Sequence, residues 1–492
     1  MDIVPVAEPG PAREILEEEE KDGIEPVRTV KTQSLELRRS ASRPTNALQR
    51  FITPSTFRDE PPPDGGLKAW LQVVAGHLTL ICVWGYLNSW GLFQAYYVSE
   101  YNLPASTVSW VVSIQIFMIN LLASFSGRLF DAGYYRPTVL CGMILEVFAI
   151  MMTSVCKRFW QVFLAQGVCS GLGMGLVWSV LDGSVKMKKL TVERCPTVSL
   201  ISTYFVKRRS VALAFVLSGS SVGGVVFPVI FQQLMPHLGF GWTVRVMGFI
   251  VLALYAVVLS LARTRINPRA SGPFLDLQSF KELSYSLFTV GTFLMLWSVY
   301  NAFFYVNSYA HDVIHVPSSN SLTLLYLMNG VSVAGRILPG LFADRFFGPL
   351  NTFIFLTAIA GIVMFCWTAV DSLSALMIWA AFYGFFGSGL QGLFGAALAG
   401  LTTDLQKMGV RIGMVLSIGS VAALTGSPLA GALIEYDHGN YRSMQIFGGS
   451  CLVGAALVNT LAALAGTGWL RRRGEPRDSC VDDESTRQET KN

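Results

Sequence analysis

Between residues 64 and 470 the chain alternates long apolar runs with short polar connections. Twelve of these runs reach the roughly 20 residues an α-helix needs to cross a bilayer. They are 70–97, 106–126, 137–156, 159–181, 209–234, 242–262, 283–308, 320–341, 350–370, 373–398, 410–434 and 443–466. The runs are continuous rather than alternating apolar with polar positions, which excludes a closed β-barrel. The pattern predicts an all-α membrane protein of twelve transmembrane helices. A polar stretch from Arg263 to Lys281 parts them into two sets of six.

The flanks read differently. Residues 1–63 are polar, with Glu17 to Glu20 in a row and a Ser/Arg-rich stretch at 34–43. Too little apolar surface is present there to fold, so a disordered N-terminal tail is expected. No apolar core segment occurs in it, and no cleavable signal peptide is expected. The predicted organisation is a tail over 1–63, a first six-helix half over 64–262, a central loop over 263–282, a second half over 283–468 and a second tail over 469–492.

Composition agrees with the pattern. The 492 residues are 52% hydrophobic and 14% charged, against about 25% charged in soluble domains. Residues 64–470 hold only 22 basic and 14 acidic side chains. This leaves no basic surface for nucleic acid. Cys82, Cys141, Cys169, Cys366 and Cys451 lie inside apolar runs, as small core hydrophobes do. No Walker sequence, metal-ligand spacing or catalytic cluster occurs, so neither an ATP-driven pump nor an enzyme is predicted, and no cofactor or metal.

The few charges set orientation. With the N-terminus in the cytoplasm, the inner connections hold Arg128, Arg136, Lys207, Arg208, Arg209, Arg263, Arg265, Arg269, Lys281, Arg345, Lys407 and Arg411. The outer ones hold Lys157, Arg158, Arg245 and Arg442. The excess predicts that both termini are cytoplasmic. The plasma membrane is the expected location, with the vacuolar membrane as the alternative.

The two sets of six repeat. Gly127 and Asp131 after span 2 match Gly340 and Asp344 after span 8; Gly171, Gly173 and Gly175 in span 4 match Gly387, Gly389 and Gly392 in span 10; Gly224 and Pro228 match Gly426 and Pro428. Paired halves are a transporter architecture. The register slips by about 13 residues between the span 4 and span 5 pairs. The anomaly is the charged segment 181–195. It is either a cytoplasmic extension or translated intron, and the sequence of the transcript separates the two.

The paired Gly-x-x-x-Asp loops resemble the signature loop of the major facilitator superfamily. Asp64-Gly65-Gly66 with Trp70, and Tyr204-Phe205 with Lys207-Arg208-Arg209 ahead of Ser218-Gly219 and Gly223-Gly224, are similar to the two signatures of its monocarboxylate transporter family in fungal form. The resemblance covers about 64–470. It implies alternating-access transport of a small organic acid, or export of a fungal secondary metabolite; a non-transporting sensor is a further reading. The implied partners are a small organic anion and membrane lipid. Asp131 and Asp344 are expected to brace helix ends on the inner face.

Intramembrane ionisable groups mark function. Arg336 in span 8 matches the position of a substrate-binding Arg in animal members of the family, and its guanidinium suits a carboxylate. Where that family has an Asp one turn earlier, this chain has Ser332, and span 1 offers Asn88 and Gln94 in place of a Lys. The proton-coupling pair that the resemblance would bring is therefore absent. Phe163 stands where drug/proton antiporters carry an Arg before Gln166-Gly167. Glu146 in span 3 either carries a proton or sits neutral on a lipid or helix face. Asn88, Gln94, Asn120, Trp178, Asn301, Tyr305 and Gln391 are the polar and aromatic candidates for lining a central cavity with Arg336.

Overall fold

The computed structural model describes residues 65–131, 134–182, 209–261, 276–316, 318–402 and 408–466. The segment 183–208, with most of the register anomaly and the Tyr204 to Arg208 part of the second signature, lies outside them. So do Asp64, both tails and residues 262–275 of the central loop.

The predicted spans appear as helices with small shifts at their ends. They are α1 Leu67–Tyr101, α2 Ala105–Asp131, α3 Tyr135–Thr153, α4 (159–182), α5 (209–238) and α6 (240–261). The second set is α7 Leu283–Asp312, α8 (318–347), α9 Pro349–Cys366, α10 Leu373–Leu401, α11 Met408–Tyr436 and α12 Arg442–Gly466. Among the described residues there is no strand. α5 and α6 are two helices parted at Gly239, whose φ of 71° suits a residue without Cβ. Gly348, at φ 77°, does the same between α8 and α9.

The repeat in sequence is a repeat in packing. α1 lies on α5, α2 and α3 on α4, and α3 on α6; α7 lies on α11, α8 and α9 on α10, and α9 on α12. The two sets meet where α2 runs along α11 and α5 along α8. Large apolar side chains point outward from the peripheral helices, among them Ile144, Phe148, Phe249, Phe355, Ile362 and Leu457. Their natural solvent is acyl chain.

Small residues set the helix spacing. A Cβ on Gly223 would stand 2.6 Å from the Ile81 carbonyl oxygen and 2.7 Å from the Gly85 Cα, and one on Gly219 would enter the His77 carbonyl. These signature glycines therefore let α5 touch the backbone of α1. One turn of charge also serves packing. Arg411, counted above as an orienting charge, is 2% exposed. It pairs with Glu282, donates from Nε to Ser279 Oγ at 3.0 Å and stacks over Tyr285, so it clamps the first turn of α11 to that of α7.

α1 and α7 are not regular through the membrane. α1 widens to a π-helical turn over Ile81–Gly85 and breaks at Ser89 (φ −81°, ψ 0°). α7 breaks at Val299 and Tyr300, close to the corresponding point of the repeat. Tyr383 on α10 donates to the Val299 carbonyl at 3.1 Å, satisfying a group the break sets free. Broken helices at matching positions of two repeats point to a binding site.

Candidate functional site

The two breaks bring side chains of five helices together. Trp84, from the π turn of α1, meets Trp178 of α4 edge-on at 5.5 Å and lies parallel to Tyr300 of α7 at 6.2 Å. Tyr300 stacks in turn on Phe304 at 5.9 Å. Beside this aromatic layer Arg336 reaches from α8 to α5. Its Nη1 donates to Ser220 Oγ, to Ser221 Oγ at 2.9 Å and to the Leu217 carbonyl at 3.2 Å. Asn88, one turn beyond Trp84, donates to the Ser220 carbonyl at 3.3 Å.

One guanidinium dominates the electrostatics of this cluster. Among the described residues Arg336 has no carboxylate partner, and only Nη1 of its fork is engaged. Neutral oxygens hold the charge in place without cancelling it. The Trp84 indole N–H is buried and has no acceptor among the described residues. A cation with an open donor edge, a spare indole donor and stacked rings can hold an amphipathic anion: carboxylate or enolate on Arg336, apolar body against the aromatic layer.

The sequence candidates divide between this cluster and other places. Arg336, Asn88 and Trp178 belong to it. Gln391 is half-buried on α10 next to Gly392, which faces the Arg336 backbone. Gln94 and Tyr305 belong to a separate outer network. Trp90 Nε1 donates to Gln94 Oε1 at 2.9 Å, and Tyr305 donates to the Ser427 carbonyl at 2.9 Å. Asn301 turns back to the Trp297 carbonyl of its own helix at 3.4 Å. Asn120 is buried on α2 with its amide nitrogen unpartnered. Ser332 bonds along α8 and to the Gly384 carbonyl. Gly127 and Asp131 close α2 and Gly340 and Asp344 close α8; the Asp131 and Asp344 side chains are outside the described set. Gly65, Gly66 and Trp70 open α1, and Arg209 opens α5. Glu146 does not face lipid: it is fully buried between α3 and α6.

Trp84, Tyr300, Ser220 and Ser221 were not among the sequence candidates. The available signal was the Trp84-Gly85 step, a large ring next to a residue that lets α5 approach. Ser220 and Ser221 sit inside the small-residue stretch of α5 and read as packing residues.

At the end of the bundle that the charge distribution predicts to be outer, bonds join the two sets of helices. Glu435 on α11 accepts from Ser106 N at 3.2 Å and Ser106 Oγ at 2.6 Å in the first turn of α2. Tyr326 on α8 donates to Gln232 on α5 at 2.6 Å. A carboxylate on the first N–H groups of a helix complements its dipole. Glu435→Ala removes about 1 kcal/mol from the closed arrangement. A cysteine placed at Ser109 should then react several-fold faster with an impermeant maleimide, which a labelling time course measures.

Comparison with known proteins gives a consistent picture. A family model described as Major Facilitator Superfamily matches residues 195–369. An MFS-type transporter of Gibberella zeae is 39% identical over 401 residues, covering 81% of this chain and 87% of that protein. An aspyridones efflux protein of Emericella nidulans is 33% identical over 417 residues, 82% of this chain and 81% of its own. A fujikurins efflux protein of Gibberella fujikuroi is 31% identical over 412 residues, 81% and 83%.

Proposed function

We infer cargo and direction from one premise: this chain belongs to the major facilitator superfamily and is an integral membrane transporter. The cargo is an amphipathic organic anion of the fungal secondary-metabolite kind, and the direction is export. The observation that carries this reading is the open guanidinium edge of Arg336 beside the Trp84–Tyr300–Phe304 stack. A sugar would leave the stack unused, and an inorganic ion would not need it. Two relatives carry efflux of named metabolites in their own descriptions, which supports export over import.

The finer assignments belong to the same proposal. The two signatures support reading the chain as a monocarboxylate porter within the superfamily. α1–α6 (64–262) and α7–α12 (283–468) are the two moving halves, with 1–63, 263–282 and 469–492 in the cytoplasm. The plasma membrane is the site of action, and bilayer lipid is the partner of the outward apolar faces. The role is transport and not catalysis.

The test uses inside-out vesicles from yeast expressing the full chain, with 2-naphthalenesulfonate as the probe anion. Its sulfonate stays ionised, and its ring matches the aromatic layer. Saturable uptake that vesicles without the protein lack is the expected result; uptake no greater than theirs would overturn the reading. Trp84→Ala should raise the half-saturating probe concentration roughly 5- to 30-fold, as expected for losing a ring contact of about 1–2 kcal/mol. An unchanged value would remove the aromatic layer from the site.

A further inference from the structure

α8 and α9 both pack on α10 but scarcely on each other. A groove of about 430 Å³ is left between them, at the end of the bundle that the charge distribution predicts to be cytoplasmic. Leu338, Pro339 and Phe342 line it from α8, Phe355 from α9, and Phe385 and Phe386 from α10. Its upper end is set by close packing. A Cβ on Gly389 of α10 would stand 2.9 Å from the Gly335 carbonyl oxygen and 3.2 Å from Pro339 Cγ. Pro339 has no N–H to return to that carbonyl, so α8 loses a ladder bond there. Leu338, Phe342 and Phe355 are about half exposed, so the groove lies on the outward face of the helices. Arg336 reaches from α8 to α5, and the groove takes a different side of the same helix.

The lining has two polar side chains. Thr352 spends its hydroxyl on the Gly348 carbonyl of its own helix at 2.9 Å. Arg345 is exposed at the end of α8, on the π-helical turn Ala343–Phe347, with its guanidinium 5.8 Å from the Phe346 ring. Among the described side chains no carboxylate pairs with it. The groove thus has an apolar length and a single cation at one end. That is the outline of one amphipathic anion lying parallel to the helices with its charge toward the cytoplasm.

The anionic lipids of the cytoplasmic leaflet have this outline, and basic pockets between membrane helices on that side suit their headgroups. A guanidinium takes phosphate through two parallel N–H bonds. A second copy of the chain fits less well. α9 and α10 carry no acidic residue, so the same face of another copy brings Arg345 no carboxylate from them. We propose that the groove between α8 and α9 binds one anionic phospholipid, its phosphate on Arg345 and an acyl chain along Phe342, Phe355 and Phe385. This rests on the reading that lipid covers the outward faces, and is independent of cargo and direction of transport.

The test places the full chain in phosphatidylcholine nanodiscs with a small fraction of phosphatidylserine bearing a diazirine in one acyl chain. The matched control carries the same photoactive chain on phosphatidylcholine. Adducts formed on illumination are mapped by peptide mass spectrometry. Adducts over 338–356 and at 385–386 should be at least about fivefold more abundant from the serine lipid. Arg345→Gln should bring that yield down to the choline level. Arg345→Lys should keep part of the preference, because a point charge still attracts phosphate without the fork. The residue is exposed, so both variants should fold, which size exclusion checks. Equal yields from the two lipids in the wild type overturn the proposal and leave the lipid-facing reading standing. A preference untouched by Arg345→Gln also overturns it. If neither lipid labels the groove, both readings fail, and crosslinks between chains at Phe355→Cys would then give the groove to a second copy.

Discussion

Arg336→Gln should abolish export of an anionic cargo while leaving the protein at the membrane. Nη1 makes three bonds to α5 and the rest of the fork is open. A cargo carboxylate would take two charge-assisted bonds from this group, each worth about 1.5–3 kcal/mol. Losing both predicts a fall in affinity of roughly 100-fold or more. The bonds to the serines are weaker reasons for the fold, because Gln can still reach one acceptor. Arg336→Lys keeps the charge but not the fork and should recover only part of the flux. Uptake into vesicles, normalised to surface-biotinylated protein, separates the outcomes. Wild-type flux in Arg336→Gln would remove this residue from the site.

The second large effect is structural. Gly223→Val should prevent α1 from seating on α5. Its new Cβ would lie 2.6 Å from the Ile81 carbonyl and 2.7 Å from the Gly85 Cα. Both are backbone atoms, which cannot rotate away as a side chain would. The strained helix is the one with the π turn, so the substitution would also displace Trp84 and Cys82. Overpacking of a filled interior costs about 1–3 kcal/mol, occasionally more, and backbone contact belongs at the upper end. A sharply reduced yield of monodisperse protein, by fluorescence-detected size exclusion, is expected. Gly239→Ala makes an instructive comparison: no atom lies within 4 Å of a Cβ there, and the only penalty is the positive φ. It should lower stability by about 1 kcal/mol and leave assembly intact.

The helices were legible in the sequence because length and apolar content alone decide whether a segment spans a bilayer. α4 predicted at 159–181 occupies 159–182, and α10 predicted from 373 begins at Leu373. Arg336 and Asn88 were legible because a polar group inside an apolar run is conspicuous. The aromatic layer was not, since Trp84 and Tyr300 sit among many rings and only the breaks in α1 and α7 turn them toward one another. Glu146 was visible as an acid but its direction was not. Sequence position put it on a peripheral helix, and only the packing of Tyr255 and Gly173 shows which face it presents. Arg411 carries a second role. Near a helix end it reads as an orienting charge, while the structure uses it as a buried clamp with Glu282.

The tether of Arg336 to Ser220, Ser221 and the Leu217 carbonyl bears on the kinetics of the whole cycle. On the proposed reading those oxygens would take the place of a cargo anion and spare the carrier a bare cation at its centre. A carrier of this kind has no need to bring a second cargo molecule back in order to reset. It can carry net flux down the cargo gradient, where a carrier with an unsatisfied cation would be confined to swapping one anion for another.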